Sequence, residues 1–254
     1  MAKRKLKPKY RNIIIILFVL VCIFGVIYSL INIINWKKDV DDNDKIQEKI
    51  EDNITIIEPI EEEQEVKYEI DFKSLKETNK DTIAYVKVNN TNIDYVVVKG
   101  NDNSYYLKHN FNKEYNIAGW IFADYHNKFD ETDKNIVIFG HNTKDGSMFG
   151  TLKNVLDKSW QENKDNLEIT LVTEKGQYKY QVFSTYSITP EDYYINTIFN
   201  SDDEYSKFIN KIKSRSNYDY NIEVDSNDNV LTLSSCIGDG KKRVVLHAKL
   251  IDNE

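Results

Sequence analysis

Val230-Leu231-Thr232-Leu233-Ser234-Ser235-Cys236 is followed by Ile237-Gly238-Asp239-Gly240 and, after two lysines, by Arg243-Val244-Val245-Leu246-His247-Ala248-Lys249-Leu250. Apolar and β-branched residues dominate both runs and a glycine-containing loop separates them, so the pair reads as two strands with a flexible connection. Similar short runs recur upstream, at Thr82–Val88, Ile93–Val98, Gly119–Ala123, Asn135–Phe139, Leu167–Thr173 and Tyr178–Ser187. Their spacing favours an all-β barrel or sandwich over a βαβ repeat. Asn89-Asn90-Thr91-Asn92 reads as a turn, and in Glu174-Lys175-Gly176-Gln177 the glycine can supply a positive φ to a hairpin. Helical patterns interrupt the strands at Phe72–Asn79, Met148–Leu156 and Asp202–Arg215. In the last, Tyr205, Phe208, Ile209 and Ile212 recur at helical spacing behind Ser201 as a candidate N-cap.

The chain leading into this domain is divided by charge. Residues 1–12 carry six basic groups and no acid, and Ile13 to Ile34 forms a span of 22 residues without a charge. As a helix that span covers about 33 Å, enough for the hydrocarbon core of a bilayer. A cleaved signal peptide would have a shorter apolar region and an A-x-A-like site, which is not found before Trp36, so the span reads as an uncleaved anchor. The basic flank places the N-terminus in the cytoplasm and the rest outside. Cys22, within the span, reads as a small apolar residue facing lipid. Residues 37–66 then hold twelve acids against four lysines. We read 35–66 as an acidic extracellular stalk with a helical turn or two near Ile46 and Ile50. The remainder, 67–254, is the folded domain, long enough to bury a core without metal or disulfide help.

Composition excludes several classes. Nine Gly and three Pro in 254 residues rule out collagen-like and low-complexity architectures, and two Cys rule out a disulfide scaffold. A net charge of −7 argues against nucleic acid as the main partner.

Cys236 is the one cysteine beyond the anchor. Outside the cell an unpaired thiol is buried and inert, linked to another chain, or reactive. Its place at a strand end, opening into a glycine-containing loop, is where functional side chains concentrate. A cysteine nucleophile needs a base and a group to hold developing negative charge. His109 and His126 read as surface residues. His141 follows Asn135–Phe139 and Gly140 and precedes another polar loop, a strand-end setting like that of Cys236. His247 lies within the last strand and shares a face with Arg243 and Val245, so it competes with His141. Arg243, at the start of that strand, could reach back over the thiol with permanently protonated planar donors, whereas Lys241 and Lys242 read as solvated.

These residues carry a resemblance. Thr232-Leu233-Ser234-Ser235-Cys236 with Arg243–Leu250 resembles the signature of sortases, class B in particular. Phe139-Gly140-His141-Asn142, followed by Met148-Phe149, is similar to that family's histidine motif. The likeness extends through Asn92–Tyr95, Asn103–Leu107, Ala118–Asp124 and Tyr194–Thr197, over roughly residues 70–252. The Cys-to-Arg loop is shorter than in some members.

The resemblance implies a closed eight-stranded β-barrel with added helices, one at the N-terminus and one, matching Asp202–Arg215, before the cysteine strand. It implies Cys236 as nucleophile, His141 as acid/base and Arg243 at the oxyanion or on the substrate backbone. Other members can carry an apolar residue at the place of His247, which argues against a catalytic part for it. Leu107, Tyr194, Ile195 and Ser234 would line the peptide groove, with Asn103 at its edge. The implied activity is cleavage after Thr in a C-terminal sorting signal of Asn-Pro-X-Thr-Asn or X-Pro-X-Thr-Gly type. A thioester acyl-enzyme would form, and the carried surface protein would pass to an amine of the peptidoglycan precursor. No metal or organic cofactor is implied, and membrane lipid would be met through the N-terminal helix. The residues alone leave three alternatives: a hydrolysing cysteine peptidase, a non-catalytic peptide-binding barrel, and a stalk protein cross-linked through Cys236.

Overall fold

The computed structural model of the chain describes residues 8–58, 66–237 and 241–253, with the backbone alone at positions 8, 9, 11, 236, 237, 252 and 253. The basic residues Lys3 to Lys7, the acids Glu61 to Glu65 and the loop Gly238 to Gly240 lie outside the described residues. The chain divides at Asp42 into two units. Helix α1 (Pro8–Glu51) supplies most of the first, and its apolar residues from Ile13 to Ile34 are exposed all round. A helix apolar on every face is long enough here to cross a membrane, and no protein core covers it.

The unit from Asn43 onward begins with the last turns of α1. The helical turns expected near Ile46 and Ile50 are the end of this long helix, and both side chains are buried in the main core. Strands β1 (Ile54–Ile57) and β2 (Lys67–Ile70) then pair antiparallel. The acidic segment is thus ordered in its described part. Ile54, Ile56 and Ile57 give β-branched pairing positions that the surrounding charge obscured in the sequence.

After α2 (Phe72–Thr78) come β3 (Thr82–Val88), β4 (Asp94–Val98), β5 (Phe122–Ala123), β6 (Asn135–Gly140), α3 (Lys158–Glu162), β7 (Glu168–Thr173), β8 (Gly176–Ile188), α4 (Asp202–Ser214), β9 (Val230–Ile237) and β10 (Lys242–Asn253). Eight strands close a barrel in the order β10-β8-β7-β3-β4-β5-β6-β9. The expected strands and hairpin are present, with Gly176 at φ +152° where the turn needs it. The alternation of β9 and β10 sorts their side chains: Leu231, Leu233, Val244 and Leu246 fill the interior, while Val230 and Val245 face a second apolar cluster. That outer cluster lies beneath α4, whose Tyr205, Phe208, Ile209 and Ile212 are buried as their spacing predicts. Ser201 caps the helix by accepting the Glu204 amide.

Two expectations need correction. Gly119–Ala123 is strand only at Phe122–Ala123, because Gly119 turns at φ +62° with its backbone against Tyr106. The helix expected over Met148–Leu156 is a 3-10 turn at Leu152–Leu156. Met148 sits at φ +51°, outside the helical region, with its amide donated to the Tyr95 hydroxyl at 2.9 Å.

Candidate active site

Three strands bring the residues together. β6 and β9 run parallel with Phe139 beside Ser234 and Gly140 beside Ser235. β9 and β10 run antiparallel, and Cys236 lies directly opposite Arg243. His141 is the next residue beyond Gly140, so the histidine, the cysteine position and the arginine share one end of the barrel.

The turn after β6 is built tightly. Gly140 has no room for a side chain, since a Cβ there would lie 2.5 Å from Ile121 Cδ1 and 2.6 Å from Phe149 Cγ. The Phe149 amide returns to the His141 carbonyl at 2.9 Å, and Asn142 bridges to Met148. His141 Nε2 lies 2.7 Å from the Leu107 carbonyl oxygen. A carbonyl only accepts, so Nε2 carries the proton and Nδ1 is the basic nitrogen of the neutral ring.

A cavity of about 230 Å³ opens at this end. His141 and Arg243 border it, and so do all five expected groove residues, Asn103, Leu107, Tyr194, Ile195 and Ser234. Tyr194 is a buried wall residue whose hydroxyl meets Ser234 Oγ at 3.2 Å. Asn103 is held from behind: its Nδ2 donates to Asp124 at 2.7 Å and its Oδ1 accepts the Tyr125 amide at 3.1 Å. An imidazole and a guanidinium around a cavity at a cysteine-bearing strand end form a constellation suited to acyl transfer.

Comparison with known proteins agrees with this geometry. The family model described as a sortase domain matches residues 86–251. Sortase B of Listeria monocytogenes is 34% identical over 186 residues, covering 71% of this chain and 74% of its own length. Sortase B of Staphylococcus aureus is 31% identical over 241 residues, covering 93% of this chain and 94% of its own.

The chain belongs to the sortase family, in its class B.

Its fold is that of the solved sortase B structures. A Staphylococcus aureus sortase B–substrate complex superposes with a TM-score of 0.67 at 34% identity, covering 71% of this chain and 84% of that one. The protein is therefore a sortase-type cysteine transpeptidase, acting in cell-wall sorting.

The remaining histidines of this sortase lie elsewhere. His109 stacks on Tyr105 with ring centroids 3.9 Å apart and bonds its backbone carbonyl, and His126 is exposed and paired with Asp124 at 2.8 Å. His247 is fully buried in the barrel wall, and desolvation pushes its pKa down to about 3. The sequence reading missed Phe122, Phe139, Pro190, Glu191, Asp192 and Ser235 at the cavity. Phe139 and Ser235 neighbour named motif residues and could have been found by strand register. Glu191 and Asp192 look like solvated loop acids in sequence and gave no signal. Ser235 Oγ is buried without a hydrogen-bond partner among the described residues.

Proposed function

We propose that this sortase cuts a C-terminal sorting signal of Asn-Pro-X-Thr-Asn or X-Pro-X-Thr-Gly type after its Thr and transfers the carried protein to a peptidoglycan-precursor amine. Cys236 is the nucleophile: its thiol passes its proton to His141 Nδ1, and the resulting thiolate attacks the Thr carbonyl carbon. Arg243, opposite it on β10, offers paired donors to the oxyanion. His141 gives the proton on Nδ1 to the leaving amine as the peptide bond breaks and the thioester forms. The acceptor amine then attacks the thioester, loses a proton to Nδ1, forms the new peptide bond and releases the thiolate. Leu107, Tyr194, Ile195 and Ser234 contact the signal, with Asn103 at the edge, and the Ser235 hydroxyl is a hydrogen-bonding group for the bound peptide.

The observation that carries this reading is the single cavity bordered by His141, Arg243 and the five groove residues, at the strand end where Cys236 stands. Likeness to a sortase B solved with substrate supports a peptide as its occupant. We further propose that residues 1–12 are cytoplasmic and 13–34 span the membrane, with 35–66 joining the span to the catalytic domain, 67–254, on its outer face and the helix end from Asn43 to Glu51 forming part of the catalytic unit. The exposed apolar helix supports this placement.

Intact mass of the full chain in detergent micelles, incubated with the two peptide types, tests the chemistry. An acyl adduct on wild type, absent in Cys236→Ala and His141→Ala, is expected, with ligated product once an amine acceptor is added. Cleavage that yields only hydrolysed peptide whatever the amine would make the protein a peptidase. A folded protein with no adduct would overturn the assignment of Cys236.

A further inference from the structure

Among the buried titratable groups that the transpeptidation chemistry does not use is the imidazole of His247. His247 is completely enclosed, and both of its ring nitrogens are engaged, Nδ1 with Thr232 Oγ1 at 2.8 Å and Nε2 with the Tyr186 hydroxyl at 2.9 Å. Period-2 alternation sets it two steps along β10 from Arg243, roughly 13 Å at the usual strand rise. It therefore stands well away from the reacting atoms.

The direction of these bonds follows from their far end. Asn135 Nδ2 faces two carbonyls, Asn196 at 2.8 Å and Tyr194 at 3.4 Å, which fixes its amide so that Oδ1 accepts. Thr232 donates its hydroxyl proton to that oxygen at 2.6 Å. Its Oγ1 must then accept from His247 Nδ1–H, and bare Nε2 accepts from Tyr186. The Tyr186 oxygen in turn accepts the Tyr193 hydroxyl at 3.2 Å. One polarised chain thus crosses β6, β9, β10 and β8 and begins and ends on the same short segment, Tyr193 to Asn196.

That segment is the wall of the cavity to which Tyr194 and Ile195 belong. From outside it is held by α4 and its C-cap: Lys211 Nζ lies 3.6 Å and Arg215 Cζ 5.6 Å from the centroid of the Tyr193 ring. From inside its anchors run through the imidazole, which donates at Nδ1 and accepts at Nε2 at a fixed separation. A side chain lacking both functions leaves Thr232 and Tyr186 with buried unmade bonds.

We infer that His247 is a positioning residue of this sortase, a neutral imidazole that holds the Tyr193–Asn196 wall of the substrate groove through Tyr186 and Thr232. The inference rests on the reading of the cavity as the peptide groove.

Full-length wild type, His247→Leu, His247→Gln, Tyr186→Phe and Thr232→Val in detergent micelles would be compared in two ways. Without peptide, hydrogen exchange at the amides of Ile195 and Asn196 should quicken by about tenfold in His247→Leu and Tyr186→Phe, since local opening sets that rate. With a signal peptide, KM should rise by about tenfold while kcat changes by less than about threefold, the signature of weakened substrate binding. Alkylation of Cys236 should keep its wild-type rate. His247→Gln, which keeps an amide near the Nε2 position, should recover part of the loss. If His247→Leu does not fold, Tyr186→Phe and Thr232→Val carry the comparison. Unchanged exchange and KM in folded variants would overturn the inference, and a collapse of kcat at constant KM would replace it with a proton-transfer role. Failure of wild type to turn over any peptide would count against the substrate reading alone, because the exchange comparison still decides the wall.

Discussion

His141 Nε2–H donates a hydrogen bond to the carbonyl oxygen of Leu107 across 2.7 Å. Leu107 thereby sets the tautomer of the ring while its own side chain borders the same cavity. The histidine's basic nitrogen is Nδ1, and nitrogen NMR of the neutral ring should show Nδ1 as the unprotonated site. A ring with Nε2 unprotonated would mean that the Leu107 bond does not persist in solution. His141→Ala should lower the rate of acyl-enzyme formation by about 10²- to 10⁴-fold, the usual range for loss of a general acid, as read by single-turnover mass spectrometry.

Gly140 joins the barrel core to this histidine. A methyl group placed there would press into Ile121 and Phe149, and Phe149 returns a hydrogen bond to the His141 carbonyl. Gly140→Ala should therefore cost about 1–3 kcal/mol of stability, typical of overpacking, and should slow acylation as the His141 turn shifts. Urea denaturation and kcat/KM measured together would check both effects; a variant as stable and as fast as wild type would show that the turn relaxes freely.

Most of the barrel was legible because its strands are short apolar, β-branched and aromatic runs bounded by turn residues, as in Thr82–Val88 and Tyr178–Ser187. The cavity rim was legible for a different reason. Asn103, Leu107, Tyr194, Ile195 and Ser234 were named from short motifs, and all five border one cavity. What escaped depends on distance along the chain. Asn135 and Thr232 are 97 residues apart and Tyr186 and His247 are 61 apart, so their bonds exist only once the barrel closes. The misread helix at Met148 has the same origin: apolar spacing suggested a helix, and a bond from the distant Tyr95 set a left-handed backbone instead.

Arg243 faces Cys236 across the β9–β10 ladder and is partly exposed. A lysine would keep the charge and lose the planar pair of donors. Arg243→Lys should lower kcat/KM by about 10²-fold, the scale seen when an oxyanion donor is removed, with little change in melting temperature. Activity within a few-fold of wild type would mean that charge alone suffices at this position.

The end of α1 is part of the catalytic unit. Asn43 Nδ2 donates to the Gly119 carbonyl at 3.0 Å, its Oδ1 accepts from Asn116 Nδ2 at 3.0 Å, and Ile46 and Ile50 are buried. Removing residues 1–66 should therefore yield a domain markedly less stable than one beginning at residue 40. Asn43→Ala alone should cost about 1–3 kcal/mol by leaving buried partners unsatisfied. Equal denaturation midpoints for the two fragments would show that this segment adds nothing to the fold.

The buried imidazole of His247 also sets how the protein responds to acid. Tyr186, Thr232 and the Phe183 ring meet its ring, with Tyr193 and Asn135 one hydrogen bond further out, and burial holds its pKa down to about 3 against an ordinary value of 6.5. Between those values the unfolded chain binds a proton at this position that the folded chain does not. Stability from this group is therefore complete above about pH 6.5 and is lost as pH falls toward 3, at a little over about 1 kcal/mol per pH unit. From pH 7 to pH 5 the loss should reach about 2 kcal/mol. His247→Gln cannot titrate and so lacks this slope, although it starts from lower stability at neutral pH. Urea midpoints of the two proteins should converge as the medium is acidified from pH 7 to pH 5. Parallel curves over that interval would mean that His247 takes up its proton within the fold, and the neutral hydrogen-bond chain from Tyr193 to Asn135 would then have to be redrawn.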